Sequence, residues 1–267
     1  EPKTSVYPND IEYDQPGFVV QESLDIYNIQ YTPWPSGNTR YEGCEVSVSG
    51  IITADTAQYN SNYSSYVIQS NTGGEQWEGL VFDSETIIES VQRGRWCTIT
   101  GTVTDDDPEW TFKFSGNTRL INVSEIEYAN DDTHTLYPLL TTCEDLSQTA
   151  EEVESYEGVF VKLENVTVSS VNAYDWSITD ETGSEALIDD DMANIEAHDF
   201  MSTLAEDQEL DHIMGIFNYS YGTYKVQIRD ILDFTETNSY SSTVTFMADV
   251  SDINGWDYYT GMHEMTV

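Results

Sequence analysis

Positive charge is scarce in this sequence. The 267 residues include 9 Lys and Arg against 49 Asp and Glu, which gives a formal net charge of -40 at pH 7. Such an excess of carboxylates repels phosphates, anionic membrane surfaces and other copies of the chain unless cations screen it. Direct binding of nucleic acid is therefore not expected, and cations are natural partners of this surface.

Long hydrophobic runs are absent as well. No stretch approaches the roughly 18 apolar residues of a transmembrane helix, so no membrane span is expected. Hydrophobic residues still make up 39% of the chain and aromatic residues 12%, which is too apolar for a disordered protein. The sequence begins at Glu1 rather than Met, and we expect an extracellular or cell-surface protein after removal of a signal peptide.

Cysteine is rare, and its spacing excludes the common zinc motifs. Cys44, Cys97 and Cys143 form no CxxC pair. The alternation of apolar residues places Cys44 and Cys97 on the core-facing sides of their predicted strands. A disulfide between Cys44 and Cys97 is one arrangement, and three structural thiols are the other.

The sequence also lacks a recognisable catalytic constellation. His134, His198, His212 and His263 are scattered, and none accompanies a Ser or Cys in a nucleophile motif. With 49 acids in the chain, any pair of carboxylates chosen for glycoside cleavage would be arbitrary. We therefore predict no catalytic residue and a protein that is not an enzyme.

The sequence does contain an internal repeat. Residues Tyr41–Val48 and Tyr156–Leu163 each run from a Tyr-Glu-Gly turn into a strand with alternating apolar residues. In both copies a hairpin with glycine at its turn follows, and then a fourth and a fifth strand. The predicted fourth strands are Cys97–Val103 and His212–Phe217. Each copy therefore predicts a unit of five strands.

Five strands with an insertion between the third and the fourth are typical of an OB-fold, which carries a helix there. The insertions in this chain are residues 84–94 and 192–207, and the second contains helix-forming residues. We therefore predict an all-β fold built from two tandem five-stranded OB-like barrels, at residues 24–135 and 136–239.

The repeat region resembles a known family of modules. Residues 27–50, which read YNIQYTPWPSGNTRYEGCEVSVSG, and the later runs EQWEGLVFD and RGRWCTITGTVTD are similar to OB-like modules of large secreted bacterial proteins. Such modules include the region that precedes the catalytic domain of extracellular nucleases. The resemblance covers roughly residues 24–235. Because those nucleases carry their catalytic residues in a separate domain, the resemblance implies the fold and no catalytic residue.

The two ends of the chain lie outside the repeat. Residues 1–23 contain three prolines and read as an extended N-terminal arm. Residues 240–267 form a C-terminal strand segment, because residues 242–250 alternate like a strand. An apolar strand must pair with a sheet edge, either within this chain or on a neighbouring copy. Pairing with a neighbour would produce a head-to-tail homopolymer, which is a filament.

Clusters of acidic residues predict cation sites, because calcium takes oxygen ligands from carboxylates and backbone carbonyls. None of the clusters matches an EF-hand, and each alone also fits a solvated acidic loop. Calcium is the cofactor that we expect, since bound cations offset the self-repulsion of the chain. The candidate ligands are Asp105, Asp106, Asp107, Asp189, Asp190, Asp191, Asp249, Asp252 and Asp257.

Aromatic residues near the predicted barrel faces offer a second kind of site. OB-folds often stack bases or sugars on such rings. Because few basic residues accompany these rings, a polysaccharide suits them better than nucleic acid, and packing within the strands is the structural alternative. The candidate platform residues are Tyr66, Trp77, Trp110, Tyr221 and Tyr224.

Two functions follow from these patterns. The first is a non-catalytic extracellular structural or adhesive protein, such as a self-assembling surface filament subunit that uses terminal strand addition and calcium bridging. The second is a ligand-binding accessory module of a secreted enzyme such as a nuclease, with polysaccharide or, through divalent cations, extracellular DNA as its ligand. Removal of the C-terminal strands distinguishes them, because only the filament needs these strands.

Overall fold

The computed structural model describes residues 24–34, 37–55, 65–84, 88, 91–105 and 116–234. The predicted N-terminal arm and C-terminal strand segment lie outside these residues. All strands of both barrels belong to one compact unit, Glu1–Phe234. Within the described part of the chain, no helix is long and apolar enough to cross a membrane.

The first barrel follows a short helix, α1. Its elements are α1 (Ile26–Gln30), β1 (Glu45–Ala54), β2 (Ser65–Gln69), β3 (Gly79–Asp83), β4 (Trp96–Thr104), β5 (Arg119–Ile121) and β6 (Glu127–Tyr128). The strands pair in the order β1-β2-β3-β5-β4, and β4 also pairs with β1, which closes the barrel. Strand β3 is parallel to β5, and the other pairs are antiparallel.

The second barrel repeats this topology. Its elements are β7 (Leu139–Leu140), β8 (Phe160–Val171), β9 (Trp176–Thr179), β10 (Glu185–Asp189), α2 (Ile195–Met201), β11 (Glu209–Ser220) and β12 (Thr223–Gln227). The order is β8-β9-β10-β12-β11, with β11 closing onto β8 and β10 parallel to β12. The prediction of an all-β fold with two closed five-stranded, OB-like barrels is therefore confirmed.

Helix α2 lies in the insertion between the third and fourth strands of the second barrel, where the sequence predicts a helix. The Asn194 side chain caps its first turn by accepting a hydrogen bond from the Ala197 amide at 2.9 Å. Ala197 and Met201 are the buried residues of the helix. Both pack into the core of the second barrel, so the helix covers one end of that barrel.

Each barrel has its own hydrophobic core, and the cysteines lie inside these cores. Cys44 and Cys97 are buried in the first core and Cys143 in the second, all three as thiols. Cys44 lies opposite Val103 on β4, whereas Cys97 lies opposite Gly50 on β1. Six residues, or about 20 Å of strand, therefore separate the two positions along β1. Of the two arrangements expected, the structure has the thiols and not the Cys44–Cys97 disulfide, because a disulfide needs Cα atoms within about 7 Å.

A third apolar cluster joins the two barrels. It contains Ala54, Val67 and Val81 from the first barrel and Phe160, Met192 and Ile216 from the second. Strands β2 and β3 are consequently buried along their whole length, because one face lines the barrel core and the other faces the second barrel. This junction fixes the two barrels against each other.

Polar contacts reinforce the junction. The buried Arg229 guanidinium donates to the Thr53 carbonyl oxygen at 2.7 Å, pairs with Asp233 at 2.6 Å, and lies 3.8 Å above the Phe160 ring. Arg93 pairs with Asp55 of its own barrel and with Asp230 of the second. Charged groups at this depth are stable only when they are paired and hydrogen-bonded, as these are.

Candidate functional site

An open cleft of about 910 Å³ lies where the two barrels meet. One wall comes from the loop after α1 and from Trp77, and the other from residues 150–154 and the hairpin of β11 and β12. We call this feature the inter-barrel cleft. Its described lining residues are Tyr31, Thr32, Pro33, Trp34, Gly37, Asn38, Trp77, Asp105, Gly116, Ala150, Glu151, Glu152, Val153, Glu154, Tyr219 and Tyr224.

Aromatic rings form the wall on the side of the first barrel. Tyr31 stacks on Tyr27 of α1 with ring centroids 5.2 Å apart, and it meets the edge of the Trp77 ring at 5.5 Å. Trp77 has a φ of +66°, an unusual backbone conformation for a large residue. Its amide donates to the Ser155 carbonyl oxygen at 2.6 Å, which ties this wall to the second barrel. Tyr31 is 38% exposed, so its ring is accessible to a ligand.

A second set of rings forms the opposite wall. Tyr224 stacks on Phe217 at 5.5 Å and meets Tyr219 at 4.9 Å. The Tyr224 hydroxyl donates a hydrogen bond to the Glu154 carboxylate. Burial and the neighbouring Glu154 raise the pKa of Tyr224, so its hydroxyl keeps its proton and remains a donor. The ring orientations are therefore set by packing and by this hydrogen bond.

Carboxylates complete the lining of the inter-barrel cleft. Glu151 and Glu152 are exposed, whereas Asp105 and Glu154 are half-buried. Asp105 accepts hydrogen bonds from the Thr39 amide at 2.8 Å and from the Thr118 hydroxyl at 2.5 Å. No Lys, Arg or His occurs among the described residues that line the cleft. The cleft is therefore aromatic and anionic.

A buried acid lies beside these carboxylates. Glu157 is 2% exposed, and one of its oxygens accepts the Thr118 amide at 2.7 Å. Its other oxygen accepts no hydrogen bond from the described residues. Burial and repulsion from Glu154 and Asp105 raise the pKa of Glu157 well above its ordinary value. Burial, followed by repulsion from Asp105, also raises the pKa of Glu154. Negative charge is thus crowded at this site.

A second hollow of about 490 Å³ adjoins the inter-barrel cleft. Ala150, Glu151 and Glu152 line both the second hollow and the inter-barrel cleft, so the two share this part of their rims. Glu144 and Asp145 line the second hollow. Together the two hollows form one concave, acidic surface.

Two of the predicted platform residues reach the inter-barrel cleft, Trp77 and Tyr224. Tyr66 does not, and its prediction as a ligand contact is wrong. It is 0% exposed and stacks on Phe82 at 5.1 Å inside the first core, because its face of β2 lines that core. Tyr221 is 59% exposed but is not among the lining residues. Trp110 lies outside the described residues.

The structure brings three of the predicted calcium ligands together. Asp189, Asp190 and Asp191 bring carboxylate oxygens within 4.8 Å of one another. Asp189 is paired with Lys225 at 2.7 Å, and Asp190 is paired with His198. Burial and repulsion from Asp191 raise the pKa of Asp189 to about 6.

The other predicted ligands do not form such a group among the described residues. Asp105 belongs to the inter-barrel cleft and is held by Thr39 and Thr118. The remaining five predicted ligands, Asp106, Asp107, Asp249, Asp252 and Asp257, lie outside the described part of the chain.

Basic residues of the described ranges are engaged in contacts within the chain. Arg40 lies 5.9 Å from the Trp34 ring centroid, and the others form ion pairs with carboxylates. These pairs are Arg93–Asp55, Arg93–Asp230, Arg95–Asp131, Arg119–Asp83, Lys162–Glu164, Lys225–Asp175, Lys225–Asp189 and Arg229–Asp233. The barrels therefore present no basic groove of the kind that follows a phosphate backbone within the described residues.

Sequence reasoning missed several cleft residues, above all Tyr31, Trp34 and Glu154. They come from a loop and from a short 3-10 helix, Val153–Tyr156, that the strand pattern does not mark. The available signal was the position of Glu154, which lies two residues before the Tyr156-Glu157-Gly158 turn of the second repeat. No model of a known protein family matches the chain, and no curated protein is significantly similar to it.

Proposed function

We propose that this chain is a non-catalytic, secreted binding module whose inter-barrel cleft holds a segment of a polysaccharide. The observation that carries the proposal is the pairing of two aromatic walls with carboxylates in one concavity. Ligand sites typically combine apolar rings with a few fixed polar groups, as this cleft does.

The chemistry of the lining suits a sugar. The apolar face of a pyranose ring packs on an exposed aromatic ring such as Tyr31, and sugar hydroxyls donate to carboxylates such as Glu152 and Glu154. OB-folds bind oligosaccharides as well as oligonucleotides. Nucleic acid is the poorer ligand here, because its phosphates would face acids and no described cation.

The rigid junction supports binding by preorganisation. The apolar cluster between the barrels, Arg229 and the close contact of Gly79 with Gly158 hold both walls in place before a ligand arrives. A site whose walls are already ordered loses less conformational entropy on binding.

The wider setting remains part of the proposal. We propose an extracellular location and, from the resemblance to modules of secreted nucleases, a role as an accessory to a larger secreted protein. Calcium at Asp189, Asp190 and Asp191 would offset some of the negative charge. Assembly into a filament is a separate proposal that rests on residues 240–267, which lie outside the described part of the chain.

A glycan array probed with the full chain tests the proposal. We expect binding to a set of polysaccharide fragments, and we expect Tyr31→Ala to reduce it by about tenfold or more, since truncating an aromatic hot spot costs about 2 kcal/mol or more. Tyr174→Ala is the matched control, because Tyr174 is 84% exposed and does not line the cleft. An array without any bound glycan, or equal losses in both variants, would refute a saccharide site in the cleft.

A further inference from the structure

We infer that the polysaccharide held by the inter-barrel cleft is cationic, with amino sugars whose ammonium groups face the cleft carboxylates. This inference rests on the proposed function and names the class of its ligand. It comes from the charge of the described lining, which is entirely negative although the rest of the lining suits neutral sugars.

The two adjoining hollows are negatively charged. Their described linings carry six carboxylates and no Lys, Arg or His. A neutral sugar needs only hydrogen-bond acceptors, and uncharged Asn, Gln, Ser and Thr supply these at no cost in repulsion. The carboxylates are Asp105, Glu144, Asp145, Glu151, Glu152 and Glu154.

The carboxylates in and beside the cleft also repel one another. Besides burial, repulsion from Asp105 raises the pKa of both Glu154 and Glu157, and Glu154 also raises the pKa of Glu157. Glu157 keeps one buried oxygen without a hydrogen bond from the described residues. An ammonium group bound at Glu154 would relieve this repulsion, because opposite charges at short range stabilise both ionised forms.

The shape of the cleft also suits a cationic sugar. Tyr31 and Trp77 on one wall and Tyr219 and Tyr224 on the other offer flat surfaces for rings. A cationic sugar uses both the rings and the acids, whereas a lysine-rich peptide uses chiefly the acids. The adjoining second hollow extends the acidic surface beyond the cleft, which suits a chain of several sugars.

Isothermal titration calorimetry on the full chain tests the inference. The probes are a glucosamine hexamer and the fully N-acetylated hexamer, which have the same backbone but differ in charge. We expect the amino form to bind about tenfold tighter at low salt near pH 6, and we expect the difference to shrink in about 0.5 M salt. Equal affinities, or tighter binding of the acetylated form, would overturn the inference and leave the proposed function intact. Binding of neither hexamer, nor of any glycan on an array, would overturn both.

Two charge-matched variants locate the effect. Glu151→Gln combined with Glu152→Gln removes two exposed acids that both hollows share, and we expect it to lower affinity for the amino hexamer by about fivefold. Glu181→Gln combined with Glu206→Gln makes the same change in net charge on exposed residues outside both hollows, and we expect little effect. Equal losses in the two variants would show attraction to the whole surface instead. Oligolysine that binds as tightly as the amino hexamer and depends on the same acids would identify a peptide ligand and contradict the amino-sugar inference.

Discussion

Gly79 and Gly158 meet backbone to backbone where the two barrels join. A Cβ atom on Gly79 would lie 2.1 Å from the carbonyl carbon of Gly158, which is far closer than van der Waals contact. Gly158 also has a φ of +73°, in the region that favours glycine. Gly79 begins β3 of the first repeat, and Gly158 ends the Tyr-Glu-Gly turn of the second repeat. The close approach therefore uses the repeated motif to fix one barrel on the other.

The first prediction follows from this contact. Gly79→Ala forces the barrels apart or strains the backbone, and we expect it to lower the free energy of unfolding by about 2 to 3 kcal/mol in urea titrations. Gly73→Ala is the control, because a Cβ there would meet only the Asn71 side chain at 3.8 Å. Equal stability of the two variants would contradict the close packing at Gly79.

The second prediction concerns the buried cation at the junction. Arg229→Lys removes the two-point pairing with Asp233 and the bond to the Thr53 carbonyl, and we expect a loss of about 3 kcal/mol in the free energy of unfolding. Lys162→Met breaks a more exposed pair with Glu164 and should leave stability nearly unchanged. A stable Arg229→Lys variant would show that Arg229 does not join the barrels.

The strands of both barrels could be predicted from the sequence, because alternation and the Tyr-Glu-Gly repeat are local patterns. Whether Cys44 and Cys97 meet could not be predicted from the sequence. The pairing of β1 with β4 fixes which residues face each other, and Cys44 lies opposite Val103. The alternation of residues in β2 shows that its two faces differ, but it does not show which face lines the core. The sequence therefore predicts Tyr66 at a surface, although it lies in the core. The inter-barrel cleft depends on how the two barrels pack, and no pattern within one repeat encodes that contact.

The third prediction concerns pH. The pKa of Glu157 is raised in the folded protein, so the folded state retains a proton that the unfolded state has released. The contribution of Glu157 to stability is therefore full below its unfolded pKa and is lost as pH rises through its folded pKa. We expect Glu157→Gln, which does not titrate, to flatten the decline of unfolding free energy with rising pH. Glu206→Gln should leave the slope unchanged, and an identical slope in wild type and Glu157→Gln would contradict the assignment.

The fourth prediction tests calcium at the cluster of Asp189, Asp190 and Asp191. Calcium at ten times its Kd should raise the free energy of unfolding of the wild type by about 1.4 kcal/mol. Asp190→Asn combined with Asp191→Asn should lose this gain, because it removes two of three converging carboxylates. Glu206→Gln combined with Asp211→Asn, which makes the same change in net charge at other exposed acids, should keep it. Equal gains in all three proteins would indicate screening of the surface instead of a site.

The most direct test of the binding proposal is a crystal structure of the full chain with a glucosamine oligomer. We predict a pyranose ring stacked on Tyr31 or Trp77, with an amine or hydroxyl donating to Glu152 or Glu154. A saccharide seated elsewhere on either barrel, with the inter-barrel cleft occupied only by water, would contradict the account.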